Sequence, residues 1–171
     1  MNRSPTFVPA LALLVVVACS KGSDDTAGGD TAGGDDGSAA TTGKLSFRFA
    51  IDENQAAAMA EPPSGTFYGG IFVEADVTPV GTVEGAVALE TFQVEVALTM
   101  DGTPTEALHT SGDLPVGKLY MIGFLDSDGN SPAETAPDSG DPVTAPGYDD
   151  RFEVVGGEIT ECDVLLDLLM P

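Results

Sequence analysis

The chain of 171 residues carries 28 acidic against six basic side chains, for a formal charge of -22, and contains two cysteines and no tryptophan. That balance makes nucleic acid and anionic headgroups poor partners, because affinity for phosphate comes mainly from Lys and Arg displacing counterions. With aromatics at only 6%, a core has to be built from Val, Leu, Ile, Ala and a few Phe, a composition that suits sheets better than bulky helix packing.

The chain opens with Arg3 and then an apolar run over residues 7–18, stopped abruptly by Cys19, Ser20, Lys21 and Gly22. A membrane-spanning helix needs close to 20 apolar residues, so a run of about twelve is expected to be the hydrophobic part of an export signal. Val16, Val17, Ala18 and Cys19 resemble the lipobox of bacterial lipoproteins, in which a branched residue, a small residue and a cysteine follow that run. The resemblance implies cleavage after Ala18 and acyl chains on Cys19, hence a lipid-anchored place in the cell envelope. Ser20, where Asp would favour the inner membrane in that family, implies the outer membrane. Loss of the leader would leave five basic against 28 acidic residues, a charge of -23. If the Cys19 sulfur is a thioether, Cys162 has no disulfide partner within the chain, and stability has to come from the core.

Residues 19–43 form the expected tether. Gly, Asp, Ser, Thr and Ala dominate it, and DTAGGDTAGGD repeats over residues 25–35. So little apolar surface cannot offset ordering entropy, and the acids repel one another, so a spacer is expected. The Gly-Gly-Asp repeats lack the nine-residue period and large apolar residues of calcium-binding β-helix repeats.

Residues 44–171 are expected to form one all-β domain. Leu45, Phe47, Phe49 and Ile51 alternate with Lys44, Ser46, Arg48 and Ala50, the period-two pattern of a strand with one buried face. Asp52 can cap a short surface helix or turn over residues 52–60 that Pro62 and Pro63 prevent from continuing. Further strands are expected over residues 66–77, 83–89, 92–100, 118–126, 151–155 and 159–169, separated by Gly, Pro and Asp clusters, and this spacing suggests a sandwich. Tyr120, Ile122 and Phe124 are expected on one face of a strand, with Leu119, Met121 and Leu125 on the other and both faces covered. The stretch Leu114, Pro115, Val116, Gly117, Lys118, Leu119 and Tyr120, running on to Asn130, resembles the core signature of transthyretin-like, carboxypeptidase-regulatory-like sandwiches. The resemblance implies a Greek-key β-sandwich of seven or eight strands and a binding, spacing or adhesive role, with no catalytic residue carried over.

The residues most suggestive of chemistry form the acidic turn after that strand. Asp126, Asp128 and Asn130 alternate as ligands can in a tight calcium loop, and Glu134 or Asp138 would have to close the shell, with Asp141, Asp149 and Asp150 nearby. Seven acids between Asp126 and Asp150, with no basic residue before Arg151, repel one another, and a divalent ion would relieve that strain. The competing expectation is a solvated turn, since Asp, Gly and Asn also close turns by local hydrogen bonds. Ser131 and Pro137 stand where an EF-hand needs Gly and Glu, so that motif is absent.

His109, Ser111 and Asp113 supply triad residue types but lie on one short segment, whereas a triad converges from separate elements. One His and one Cys outside the leader cannot supply a usual zinc site. Cys162 alternates with Glu161 and Asp163 and is expected to face the core. These features point to a non-enzymatic envelope module, calcium-steadied or not, that binds a protein or glycan partner or is purely structural. The rival is a carboxylate hydrolase of glycosidase type, which needs two acids across a cleft and usually aromatic lining.

Overall fold

The structure, a computed structural model, describes residues 39–131, 136–145 and 151–171. The leader, Cys19, most of the tether, Glu134, Asp149 and Asp150 lie outside the described residues. The described chain is an all-β sandwich. Strand β1 (Thr42–Ile51) opens the first sheet two residues before the boundary drawn from composition, and Leu45, Phe47, Phe49 and Ile51 all point inward and are fully buried.

The first sheet sets β1 at its centre. On one side β11 (Ile159–Leu166) runs parallel to it, from Lys44 opposite Ile159 to Ile51 opposite Leu166. On the other side the short β6 (His109–Thr110) and β7 (Leu114–Pro115) pair antiparallel with its first six residues, β7 at Thr42 and Gly43 and β6 at Ser46 and Phe47. Among the described residues the second sheet has six strands. Its middle is the antiparallel pair β2 (Ser64–Val73) and β8 (Gly117–Asp126), flanked by β5 (Glu90–Ala97) on the β2 side. Along the other edge of β8 lie β10 (Arg151–Val154) and then β9 (Pro142–Val143), with β12 (Leu168–Leu169) beyond β9. The excursion from β2 to β5 carries a 3-10 turn, Glu74–Asp76, and a hairpin of β3 (Val77–Thr78) and β4 (Gly81–Thr82).

Between the sheets, Phe47 stacks on Phe92 and meets Phe152 edge-on, while Phe49 lies against Phe67 with centroids 4.7 Å apart. Few but central aromatics therefore hold the two layers, and aliphatics from β8 and β11 fill around them. Gly123 on β8 makes this possible: any Cβ there would strike the Phe67 ring and the Tyr68 carbonyl oxygen.

Local details depart from the expected elements where tertiary demands intervene. Residues 83–89 form no strand. A turn closed by the Ala86 N–H donating to the Val83 carbonyl takes their place, with Gly85 at positive φ, and Val87 projects into solvent. The expected helix shortens to α1 (Glu53–Ala56), capped as anticipated by the Asp52 carboxylate accepting from Asn54 and Gln55 N–H groups. The last expected strand breaks at Asp167, whose carboxylate leaves the ladder to accept the Ala145 N–H at 2.7 Å. Among the described residues no helix is long and apolar enough to cross a membrane.

Candidate functional site

Strand β8 ends in the acidic turn, and the turn folds onto the chain that leads into β9. Asp126 is buried: its Oδ1 accepts the Gly129 and Asn130 N–H groups at 2.8 and 3.2 Å, and its Oδ2 accepts the Ser131 N–H at 3.3 Å. Gly129, at φ 75°, supplies the left-handed residue that lets those amides converge. Asp141 is also buried, 15 residues further on. Its Oδ1 accepts from the Ser127 amide and its Oδ2 from the Asp138 amide, both at 3.2 Å. The result is a loop clamped at both ends by carboxylates that accept backbone hydrogen bonds.

The same folding brings one ligand atom each of Asp126, Asp128 and Asp141 within 4.8 Å of one another. Two expected residues thus stand together, and Asp141, which the sequence places only in the acidic continuation, is the third. Asn130 turns its amide nitrogen to Asp128, donating to Oδ2 at 2.7 Å, and its Oδ1 accepts from Ser131. Asp138 is exposed and contributes its backbone N–H to the clamp. Three hard oxygen donors of like charge suit a divalent cation, although each carboxylate already accepts hydrogen bonds with which an ion would compete. No spacing rule links position 141 to 126, because the intervening loop has no period.

Beside this clamp the outer face of the second sheet holds a groove of about 1040 Å³. Its floor is the outward row of β2 and β8: Tyr68, Gly70 and Phe72 next to Ile122 and Phe124. Pro79, Val80 and Thr82 of the β3–β4 hairpin form one bank, and Val143, Leu168 and Met170 another. Tyr68 and Phe124 stack at 5.2 Å with rings 17° from parallel, making a flat aromatic platform. None of the lining residues among those described is charged, in a chain of charge -22. The expectation that β8 is covered on both faces therefore holds for Leu119, Met121, Leu125 and Phe124, while Tyr120 and Ile122 stay partly open to solvent.

Clamp and groove are one unit of structure. Asp126 follows Phe124 on the same outward row of β8, and Asp141 immediately precedes β9, whose Val143 forms part of the wall. Holding Asp141 in place therefore holds that wall.

The remaining candidates have other partners. His109 Nε2 meets Glu90 Oε1 at 2.9 Å, and its ring lies flat on Phe92 at 3.9 Å. Ser111 Oγ accepts the Leu45 N–H and donates to the Gly112 carbonyl, and Asp113 lies 3.8 Å from Lys44. Cys162 faces the core, as expected, and burial first, then the neighbouring Asp163 charge, pushes its thiol up to about 12. Comparison of the chain with protein families, with curated proteins and with solved structures finds no match.

Proposed function

We propose that this chain is a lipid-anchored module of the bacterial envelope that binds a small, uncharged, largely apolar ligand in the outer-face groove, without transforming it. The observation that carries the reading is the groove itself: a floor of Tyr68, Phe72, Ile122 and Phe124, and no charged group among its described lining. Burying apolar ligand surface there releases water at about 25 cal/mol per Å², whereas a charged ligand would lose hydration with no counter-charge. The concave, mostly apolar shape is that of small-molecule sites generally. Among the described residues its lining offers no carboxylate pair for glycosidase chemistry, and the group of three carboxylates that converges lies outside it, at the clamp. The lipid anchor rests on the lipobox resemblance at Cys19, and the transthyretin-like relationship on the residues 114–130 signature together with the all-β sandwich.

The test is titration of the protein with Nile red, an uncharged apolar probe, followed by fluorescence. Saturable binding that Ile122→Asp abolishes, in a protein that still unfolds cooperatively and is fully folded at the titration temperature, is the expected result. Equal binding by both proteins would mean that the groove is not the site.

A second reading concerns the clamp and is favoured by the 4.8 Å grouping of Asp126, Asp128 and Asp141. On this proposal calcium steadies the loop, and through it the β9 wall of the groove. Millimolar calcium should raise the melting temperature by several degrees and EDTA should reverse the rise, since a ligand at 100 times its dissociation constant adds about 2.7 kcal/mol. Asp141→Asn should remove the response, and a calcium-independent melt would reject the reading.

A further inference from the structure

Exposed aliphatic side chains gather where the chain joins the sandwich. The Val116 N–H donates to the Thr41 carbonyl at 3.1 Å, the Gly157 N–H to the Thr42 carbonyl at 2.8 Å, and the Lys44 N–H to the Glu158 carbonyl at 2.8 Å. The first residues of β1 therefore run between the loop that carries Val116 and the turn from Val155 to Ile159. The Val116 side chain leans over that turn, where a Cβ added to Gly156 would meet Val116 Cγ2 at 3.3 Å. At this pole Val116 is 51%, Val155 41% and Ile159 62% exposed. A scattered surface valine needs no explanation, but three exposed aliphatics around one point of the backbone do.

Charge at the pole is mixed. Lys44 lies 3.8 Å from Asp113, Lys118 stands opposite Glu153 in the β8–β10 ladder, and Glu158 sits in the turn. Lysine stems can lie along an apolar surface while their ammonium groups reach water, so Lys44 and Lys118 are compatible with a surface half in contact with hydrocarbon.

We propose that this pole, formed by Val116, Val155 and Ile159, seats on the surface of the lipid bilayer. The proposal rests on the reading of Cys19 as lipid-bearing. Only 20 residues separate Cys19 from Ala40, which itself lies at this pole beside Gly156. Were those residues the flexible spacer that their composition leads one to expect, their root-mean-square span would be only about 25 Å, and a weak apolar contact near the attachment would be continually presented to the membrane. The bilayer is the occupant that the tether length selects. Seating would turn the rest of the sandwich, including the groove, to a fixed aspect relative to the membrane.

The absence of tryptophan from the natural chain provides the experiment. Val116→Trp, Ile159→Trp and, as a control beyond the far end of β1, Ala58→Trp at an exposed position after α1 each give a lipidated full-length protein with a single indole. Each is reconstituted in phosphatidylcholine–phosphatidylethanolamine vesicles with and without bromine on the acyl chains. An indole about 5–10 Å into the interface should shift its emission to the blue and lose about half its intensity or more to bromine. The expected result is that Trp at 116 and 159 behaves so, while Trp at 58 emits as in water and is unquenched. Equal quenching at all three positions, or none at 116 and 159, overturns the proposal and leaves a protein partner as the alternative occupant. The anchor is checked separately by the mass of the amino terminus. If Cys19 proves unacylated, coupling its thiol to a maleimide phospholipid restores a tether of the same length, the buried Cys162 being inert. The pole and the anchor thus fail independently.

Discussion

The two faces of the second sheet are both apolar, yet they are built to different ends. Inward, Phe67, Ile71, Met121 and Leu125 are buried without remainder against β1 and β11. Outward, Tyr68, Phe72, Tyr120 and Ile122 come from the same two strands, at the alternate positions, and stay partly accessible. A sheet with one wet face is normally polar on that face, so an outer row of aromatic and aliphatic side chains marks surface held for something other than folding. Stability should reside in one row and binding in the other.

The largest effect that would break this contrast is on the inner row. Phe67→Ala should cost about 3–5 kcal/mol in urea unfolding, because the ring is fully buried and its neighbours Phe49 and Phe92 cannot close the void. A loss of under about 1 kcal/mol would mean that the face is not a packed core.

Next comes the clamp. Asp141→Ala removes the acceptor of two backbone N–H groups and should cost about 1–3 kcal/mol, with the losses visible as faster amide exchange at Ser127 and Asp138. Unchanged exchange there would show that the clamp contributes little.

On the outer row the effect on stability should be smallest. Ile122→Asp should cost about 1 kcal/mol, the price of partly dehydrating one carboxylate, while eliminating probe binding. A large destabilisation would place Ile122 in the core and erase the distinction between the faces.

Cys162 sharpens the same contrast from the first sheet. With its thiol pushed up to about 12, it should alkylate at pH 8 about three orders of magnitude more slowly than an exposed cysteine, and at the ordinary rate in denaturant. The unfolded thiol loses its proton from about pH 9, whereas the folded one keeps it, so stability should fall as pH rises above 9.0.

Much of the inner row was legible in the sequence because one buried face leaves a period of two: Leu45 to Ile51 and Leu119 to Leu125 announce themselves. The outer row was partly legible too, since residues 66–73 and 119–125 do not alternate with polar residues, a sign of two apolar faces. What covers the second face was not, because the β3–β4 hairpin and β9 are two-residue strands fixed only by tertiary pairing. Parallel pairing of β1 with β11, more than a hundred residues apart, likewise leaves no local mark. Val83 and Val87 resemble strand residues by propensity, but the turn at Glu84 and Gly85, closed by the Ala86 N–H on the Val83 carbonyl, overrides it. Asp126 and Asp128 were visible by spacing, and Asp141 joins them only through the loop's closure.

Methyl NMR of the protein titrated with Nile red compares the two faces directly, since Ile71 and Ile122 sit on the same sheet and look in opposite directions. Shifts are expected at Ile122, Val143 and Leu168, with Ile71 and Leu125 unmoved. Shifts confined to the inner methyls, or spread equally over both rows, would contradict that expectation.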